Sequence, residues 1–235
     1  MNNQIESLEL EDKKAFPVPS LQRLPLYLRQ LKQYERQGVE KVSCTRIAQD
    51  LGLISVQVRK DLSMTGIAGR PKVGYNISEL IGTIESFLGW DKKRKAVLVG
   101  AGNLGGAILG YPGFAEHGLN ICAAFDSDPG KVDTIIRSCK VHPMDELEKY
   151  IHKNQIVIGI ITVPQAGAQA VADKMVSAGI RAIWNYSPAR LNLPENVVCE
   201  TVQLSSSFAV LSSKVKSMLA EENARAKASD APEKE

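Results

Sequence analysis

The chain has 235 residues, room for one large domain or two modest ones at ~150 residues each. Hydrophobic residues make up 44% and charged residues 23%, a balance that excludes a wholly disordered chain. The net charge is only +3, but residues 1–19 hold two Lys against four acids, whereas residues 20–75 hold ten Lys/Arg against four. A local basic segment points to an anionic partner, with nucleic acid first in line. A solvated basic helical face would give the same charge. No apolar run approaches the ~20 residues that cross a membrane. The longest, Ile156–Val163, is interrupted by Gly159 and Thr162. The start, MNNQIESLELEDKK, lacks the pattern of a secretory signal. Cys44, Cys122, Cys139 and Cys199 form no CxxC pair. They fit reduced thiols in a cytoplasmic protein, with no disulfide framework and no metal site.

In chain order, residues 1–19 are polar, end in Pro17-Val-Pro19 and read as a mobile arm. Leu21, Leu24, Leu28 and Leu31 then recur at three- and four-residue spacing, as one helix face does. Pro25 is expected near the start of that helix and Gly38 at its end. Ser43 is expected to cap a second helix with Ile47, Ala48 and Leu51 facing inward, and Gly52 breaks it. Ser55 is expected to cap a third, with Val58 and Leu62 inward. Gly66 and Gly69-Arg70-Pro71 predict a hairpin region, followed by a helix from about Ser78 to Leu88. Residues 20–88 therefore read as one domain, and the polar stretch 89–94 as a linker.

After it the rhythm changes. Apolar runs at Ala96–Val99, Ile121–Phe125, Ile156–Val163 and Ala182–Trp184 alternate with helical stretches at Leu104–Leu109, Met144–His152 and Gln165–Ser177. Alternating strands and helices predict an α/β domain over 95–202, with a doubly wound parallel sheet. A final helix, 203–220, carries Leu204, Phe208, Leu211, Val215 and Met218 in a heptad-like stripe. It either covers its own sheet or reaches a second subunit. The charged, Ala-rich tail 221–235 is expected to be disordered.

Gly100-Ala101-Gly102-Asn103-Leu104-Gly105 is a G-x-G-x-x-G sequence between a predicted strand and a predicted helix. The first glycine permits a tight turn, the second lets backbone approach a pyrophosphate, and the third lets helix and strand pack closely. Asp126 lies 21 residues after Gly105, where an acid would take the adenine ribose hydroxyls. A carboxylate there repels a 2′-phosphate, so NAD(H) is favoured over NADP(H). It also argues against CoA, which carries a 3′-phosphate. His117, His142 and His152 are not expected at strand C-terminal ends, so no acid–base residue for a dehydrogenase stands out. No enzymatic activity is expected, and a small NAD-dependent oxidoreductase is the weaker reading.

The helices of residues 20–63 have helix-turn-helix spacing, and the third presents Gln57, Arg59, Lys60 and Ser63. Ser43 and Arg46 at the second helix, and Arg70 and Lys72 in the hairpin, complete the candidate DNA-facing set. A helical cap with solvated charges is the bland alternative. A DNA reader and an NAD pocket in one chain together suggest a redox-responsive repressor.

With these motifs in order, the sequence resembles the Rex family of bacterial redox-sensing repressors over about residues 20–215. The resemblance is carried by RLPLYLRQL (23–31), QVRKDLS (57–63), VGYN (73–76), GAGNLG (100–105), YPGF (111–114), TVP (162–164) and NYSPARLNLPENV (185–197). It implies a homodimer of winged-helix and Rossmann domains, with the last helix swapped onto the partner. NADH would release the operator, whereas NAD⁺ would leave the DNA-competent state favoured. It further implies that Tyr111, Thr162, Val163, Pro164, Asn185, Tyr186 and Leu204 join the glycine loop and Asp126 around the cofactor. The family's switch pairs an Arg, a Tyr and an Asp; here Arg29 and Tyr111 match, but Gln203 stands in the acid's place. An uncharged partner for Arg29 implies weaker nucleotide control. A Rex-like DNA-binding protein with an altered nucleotide response is therefore the second reading.

Overall fold

The computed structural model describes residues 16–229, which divide into two compact units between Lys93 and Arg94. The first unit runs α1 (Val18–Arg36), β1 (Lys41–Val42), α2 (Cys44–Leu51), α3 (Ser55–Ser63), β2 (Tyr75–Asn76) and α4 (Ile77–Phe87). Helix α1 opens at Val18, inside the segment expected to be an arm, because Pro19 occupies its first turn. Residues 1–15 of that arm lie outside the described residues. Pro25 is not near the start but inside the helix, where it removes one backbone hydrogen bond. The leucine stripe still faces inward, since Leu24, Tyr27, Leu28, Leu31 and Tyr34 are all buried. Ser43 caps α2 by accepting from Arg46 N–H, and Gly52 ends it in the left-handed region. Ser55 does not cap α3. It is the first helical residue, and Ile54 holds the cap position. Helix α4 opens at Ile77, and Asn76 caps it by accepting from Glu79 N–H.

The second unit is a seven-stranded sheet. Its strands are β3 (Arg94–Val99), β4 (Leu119–Asp126), β5 (Ile135–Ile136), β6 (Cys139–Pro143), β7 (Ile158–Ile161), β8 (Ala182–Asn185) and β9 (Val198–Thr201). Their spatial order is β5-β6-β4-β3-β7-β8-β9, with only the β5–β6 pair antiparallel. Helices α5 (Asn103–Leu109), α6 (Pro112–Glu116), α7 (Leu147–Asn154) and α8 (Gln165–Ser177) accompany it. Side chains alternate between two cores, Val97 and Val99 entering one, Ala96 and Leu98 the other. That is the buried parallel arrangement expected of near-continuous apolar strands. The strand order reverses between β3 and β7, and a doubly wound sheet binds its ligand at that crevice.

The last element, α9, spans Leu204–Ser229. Helix therefore replaces the disorder expected from Glu221 as far as Ser229; Ala, Glu, Arg and Lys there are strong helix formers. Residues 230–235 lie outside the described residues. Phe208, Leu211, Val215 and Met218 are exposed, so the apolar stripe does not cover its own sheet.

One charged group organises the first unit. Asp61 of α3 is 1% exposed. Its carboxylate accepts from Arg23 Nε at 2.7 Å, Arg23 Nη2 at 2.8 Å and Tyr27 hydroxyl at 2.7 Å. Both donors stand on α1, so the pair clamps α3 to α1. Burial works against the charge, but the Arg23, Tyr27 and Ser20 hydrogen bonds outweigh it and hold the Asp61 pKa below its ordinary value. A lowered folded pKa contributes stability that is complete above the ordinary carboxylate range. That stability is lost as pH falls through the folded pKa. We expect Asp61→Ala to cost about 3 kcal/mol at neutral pH, because it strands the Arg23 guanidinium. Urea unfolding of the full chain measures this, and the deficit of Asp61→Asn should shrink below about pH 4.

Candidate DNA-binding and dinucleotide-binding sites

In the first unit the turn at Gly52 aims α3 outward, burying Val58, Asp61 and Leu62 and leaving Arg59, Lys60 and Ser63 exposed. Gln57 is half-buried. The hairpin leading to β2 is closed by paired Arg70–Gly74 backbone bonds of 2.9 Å. Gly74 is required there, since its φ is +86° and a Cβ would stand 2.2 Å from Val42 O. Arg70 and Lys72 are exposed on this wing. Ser43, Arg59, Arg70 and Lys72 line one concavity of about 530 Å³. Gln57, Lys60 and Ser63 lie outside its lining. Thr45 and Val73 join it, and the sequence reading missed them, because only the fold brings wing and helix start together. Two predicted hydroxyls have internal partners as well. Ser43 Oγ is the α2 cap, and Ser63 Oγ donates to Lys60 O. The Arg46 guanidinium lies 4.7 Å over the Tyr34 ring, which orients it.

In the second unit the cradle forms where β3, β4 and β7 end. Gly100 has φ +104°, and a Cβ on it would stand 2.9 Å from Thr162 C and Val163 N. A Cβ on Gly105 would stand 2.0 Å from Gly100 O. Gly102 differs, since no atom lies within 4 Å of where its Cβ would be. That open side of the backbone is the approach a pyrophosphate needs. Thr162 Oγ1 lies 2.7 Å from Gly100 O and 3.0 Å from Val99 O, tying β7 to the loop.

Asp126 ends β4 facing the loop. Its Oδ2 accepts from Ala101 N–H at 2.8 Å and its Oδ1 from Asp128 N–H at 2.9 Å. Lys131 Nζ stands 3.2 Å from Oδ2. Burial opposes the charge, but the Asp128 N–H, Lys131 and Ala101 N–H hold the pKa below its ordinary value. The carboxylate is therefore ionised at neutral pH and close to the open glycine loop.

A concavity of about 440 Å³ gathers Gly100, Gly102, Asn103, Leu104, Asp126, Thr162, Val163 and Pro164. Ser127, Lys131, Met144, Gly167 and Val171 also line it and were not anticipated. Lys131 had a readable signal. Asp128-Pro129-Gly130 makes a turn, with Gly130 N–H donating to Asp128 Oδ1, that returns the chain over Asp126. Ala101, Gly105, Tyr111, Asn185, Tyr186 and Leu204 are not part of this lining. Ala101 acts through its backbone on Asp126, and Gly105 through packing. Asn185 is fully buried, donating to Ala189 O and accepting from Ser187 N–H, so it fixes the turn after β8. Tyr111 stands exposed against Phe114, at the end of an aromatic row that continues through Trp184 to Tyr186. Leu204 opens α9. Arg29 and Gln203 are exposed, and Gln203 Oε1 accepts from Ser206 hydroxyl.

The residues fit a dinucleotide: an open glycine backbone, an ionised acid, and walls of Val163, Pro164, Met144 and Val171. Two alanine substitutions separate scaffold from contact. Gly100→Ala should lower the melting temperature, because it meets the β7 backbone at a positive φ. Gly102→Ala should leave the melting temperature within about 2 °C and weaken NADH at least tenfold by filling the open side. Calorimetry and NADH titration of both variants measure the contrast.

Comparison with known proteins agrees with this division. A family model described as "CoA binding domain" matches residues 91–189, and one described as "Putative DNA-binding protein N-terminus" matches residues 15–63. The redox-sensing transcriptional repressor Rex of Treponema denticola is 48% identical over 198 residues, covering 84% of this chain and 94% of that protein. The Rex of Bacteroides fragilis is 39% identical over 211 residues, covering 90% of this chain and 94% of that one. Among solved structures, the Rex-family repressor RSP with β-NAD⁺ and operator DNA matches with a TM-score of 0.82 and 35% identity, over 93% of this chain and all (100%) of that chain. RSP with β-NADH matches with a TM-score of 0.79 and 34% identity, over 90% and 99%. These relatives are named as repressors, not as enzymes. With its helix-turn-helix unit, its wing and its glycine-loop sheet domain, the chain belongs to the Rex family of redox-sensing transcriptional repressors.

Proposed function

We propose that this chain is a cytoplasmic, homodimeric repressor that holds operator DNA and releases it when it binds NADH. The observation that carries the reading is the presence in one chain of an outward basic helix, α3, and a glycine cradle open at Gly102 beside an ionised Asp126. RSP has been solved with β-NAD⁺ and operator DNA and with β-NADH, which supports both ligands here. No helix among the described residues is long and apolar enough to cross a membrane.

In this reading residues 20–88 bind DNA, 95–202 bind NAD(H), and 203–220 form a swapped helix. Gln57, Arg59, Lys60 and Ser63 face the groove, while Ser43, Arg46, Arg70 and Lys72 meet phosphates. The exposed stripe of α9 supports the swap, since it needs cover that its own sheet does not provide. Release follows from linkage. NADH that prefers a conformation unable to bind DNA must weaken DNA affinity by the same factor. The oxidised nicotinamide carries a positive charge that an apolar pocket must desolvate, whereas the reduced ring does not. Arg29, Tyr111 and Gln203 are the proposed switch, with Tyr186 and Leu204 beside the nicotinamide. All three switch residues are exposed.

Gln203 supports the weaker-coupling variant of this function, because an Arg–amide contact lacks the charge of a salt bridge. Fluorescence anisotropy on a labelled pseudo-palindromic operator, titrated separately with NADH and NAD⁺, tests the reading. The expected result is partial release by NADH and none by NAD⁺. Gln203→Asp should lower the NADH needed for half-release about fivefold. Tight DNA binding that ignores both nucleotides overturns the redox function, and near-complete release at modest NADH overturns the weak coupling.

A further inference from the structure

Two side chains of the first unit are unexplained by packing. Ile54 is 69% exposed and Val56 65% exposed, at the start of the helix that carries Arg59 and Lys60. A single exposed aliphatic residue is ordinary, but Ile54 sits where it has a cost. It holds the cap position of α3 and has no oxygen to offer, so no side-chain cap bond forms. Ser43 does supply that bond for α2. Ser, Thr, Asp or Asn at position 54 would stabilise the helix.

Val56 lies three and four residues before Arg59 and Lys60, which puts the three on one helix face. The opposite face is the buried one, with Val58, Asp61 and Leu62. The outer face is thus apolar in its first turn and cationic in the next. That pattern complements a major groove, where phosphates flank the floor and the one apolar group on the floor is the thymine C5-methyl. The first turn of a recognition helix is the part that reaches base edges.

We propose that Ile54 and Val56 bury thymine methyl groups of the operator and so determine part of its sequence. The proposal rests on the reading of α3 as the DNA-facing helix. It adds selection by apolar burial to the hydrogen-bonding residues already assigned.

Deoxyuridine differs from thymidine only by that methyl group, so it isolates the contact. An operator is first selected from random duplexes with the full-length protein. Each thymine is then replaced singly by deoxyuridine, and affinity is measured for wild type, Val56→Ala and Ile54→Ser. At one or more thymines in each half-site, wild type should bind the deoxyuridine duplex about fourfold more weakly. That difference should vanish in the variant lacking the contacting side chain, and loss in one variant alone assigns the methyl to that residue. Ile54→Ser should also melt at an equal or higher temperature, because it gains a cap, so weaker binding is not misfolding. Wild-type indifference to every deoxyuridine overturns the inference, as does a sensitivity that survives in both variants. Failure to select any duplex overturns the DNA-binding reading instead.

Discussion

The cofactor half of the molecule depends on how closely three strand ends approach one another. The ends of β3 and β7 meet with no space for a side chain at Gly100, and α5 lies on the same loop with no space at Gly105. The loop so formed leaves Gly102 exposed, and Asp126 holds it by accepting from Ala101 N–H. A carboxylate has about four acceptor positions. Three are engaged by Ala101, Asp128 and Lys131, so the residue expected to read a ribose also braces the loop that meets the phosphates. Binding and scaffolding therefore cannot be separated at Asp126, as they can between Gly100 and Gly102.

The first unit has a comparable brace. Arg23 and Tyr27 on α1 hold Asp61 on α3, and Arg29 lies exposed further along α1. The bidentate, buried geometry leaves α3 little freedom to move independently of α1. Under the proposed switch, a change of partner at Arg29 would reach α3 through this clamp.

Much of this was legible because the signals are local. Helix α8 falls on Gln165–Ser177 as the sequence predicts, and Ser43 caps α2. The glycine sequence, with an apolar strand before it and Asp126 after it, located the cradle. The rest was hidden for identifiable reasons. Strands β5, β6 and β9 are short and carry polar or exposed residues, so they have no apolar run to announce them. Asp61 resembles one more polar residue of QVRKDLS, and its burial depends on a partner 38 positions away. Met144 and Val171 reach the cradle only because the parallel sheet brings strand ends together. The resemblance implies a cofactor role for Asn185, whose amide the fold commits to the chain around it.

The open stripe of α9 has a genetic consequence. In a dimer built on that stripe, pairing and DNA reading use separate parts of the chain. A subunit with a damaged α3 but an intact α9 would still pair with normal copies and hold them in half-functional dimers. A subunit cut before Leu204 would donate no helix and would compete poorly for normal copies. In such a dimer, loss of the long helix would be the milder allele beside a normal copy, and damage to the proposed DNA-facing helix the dominant one.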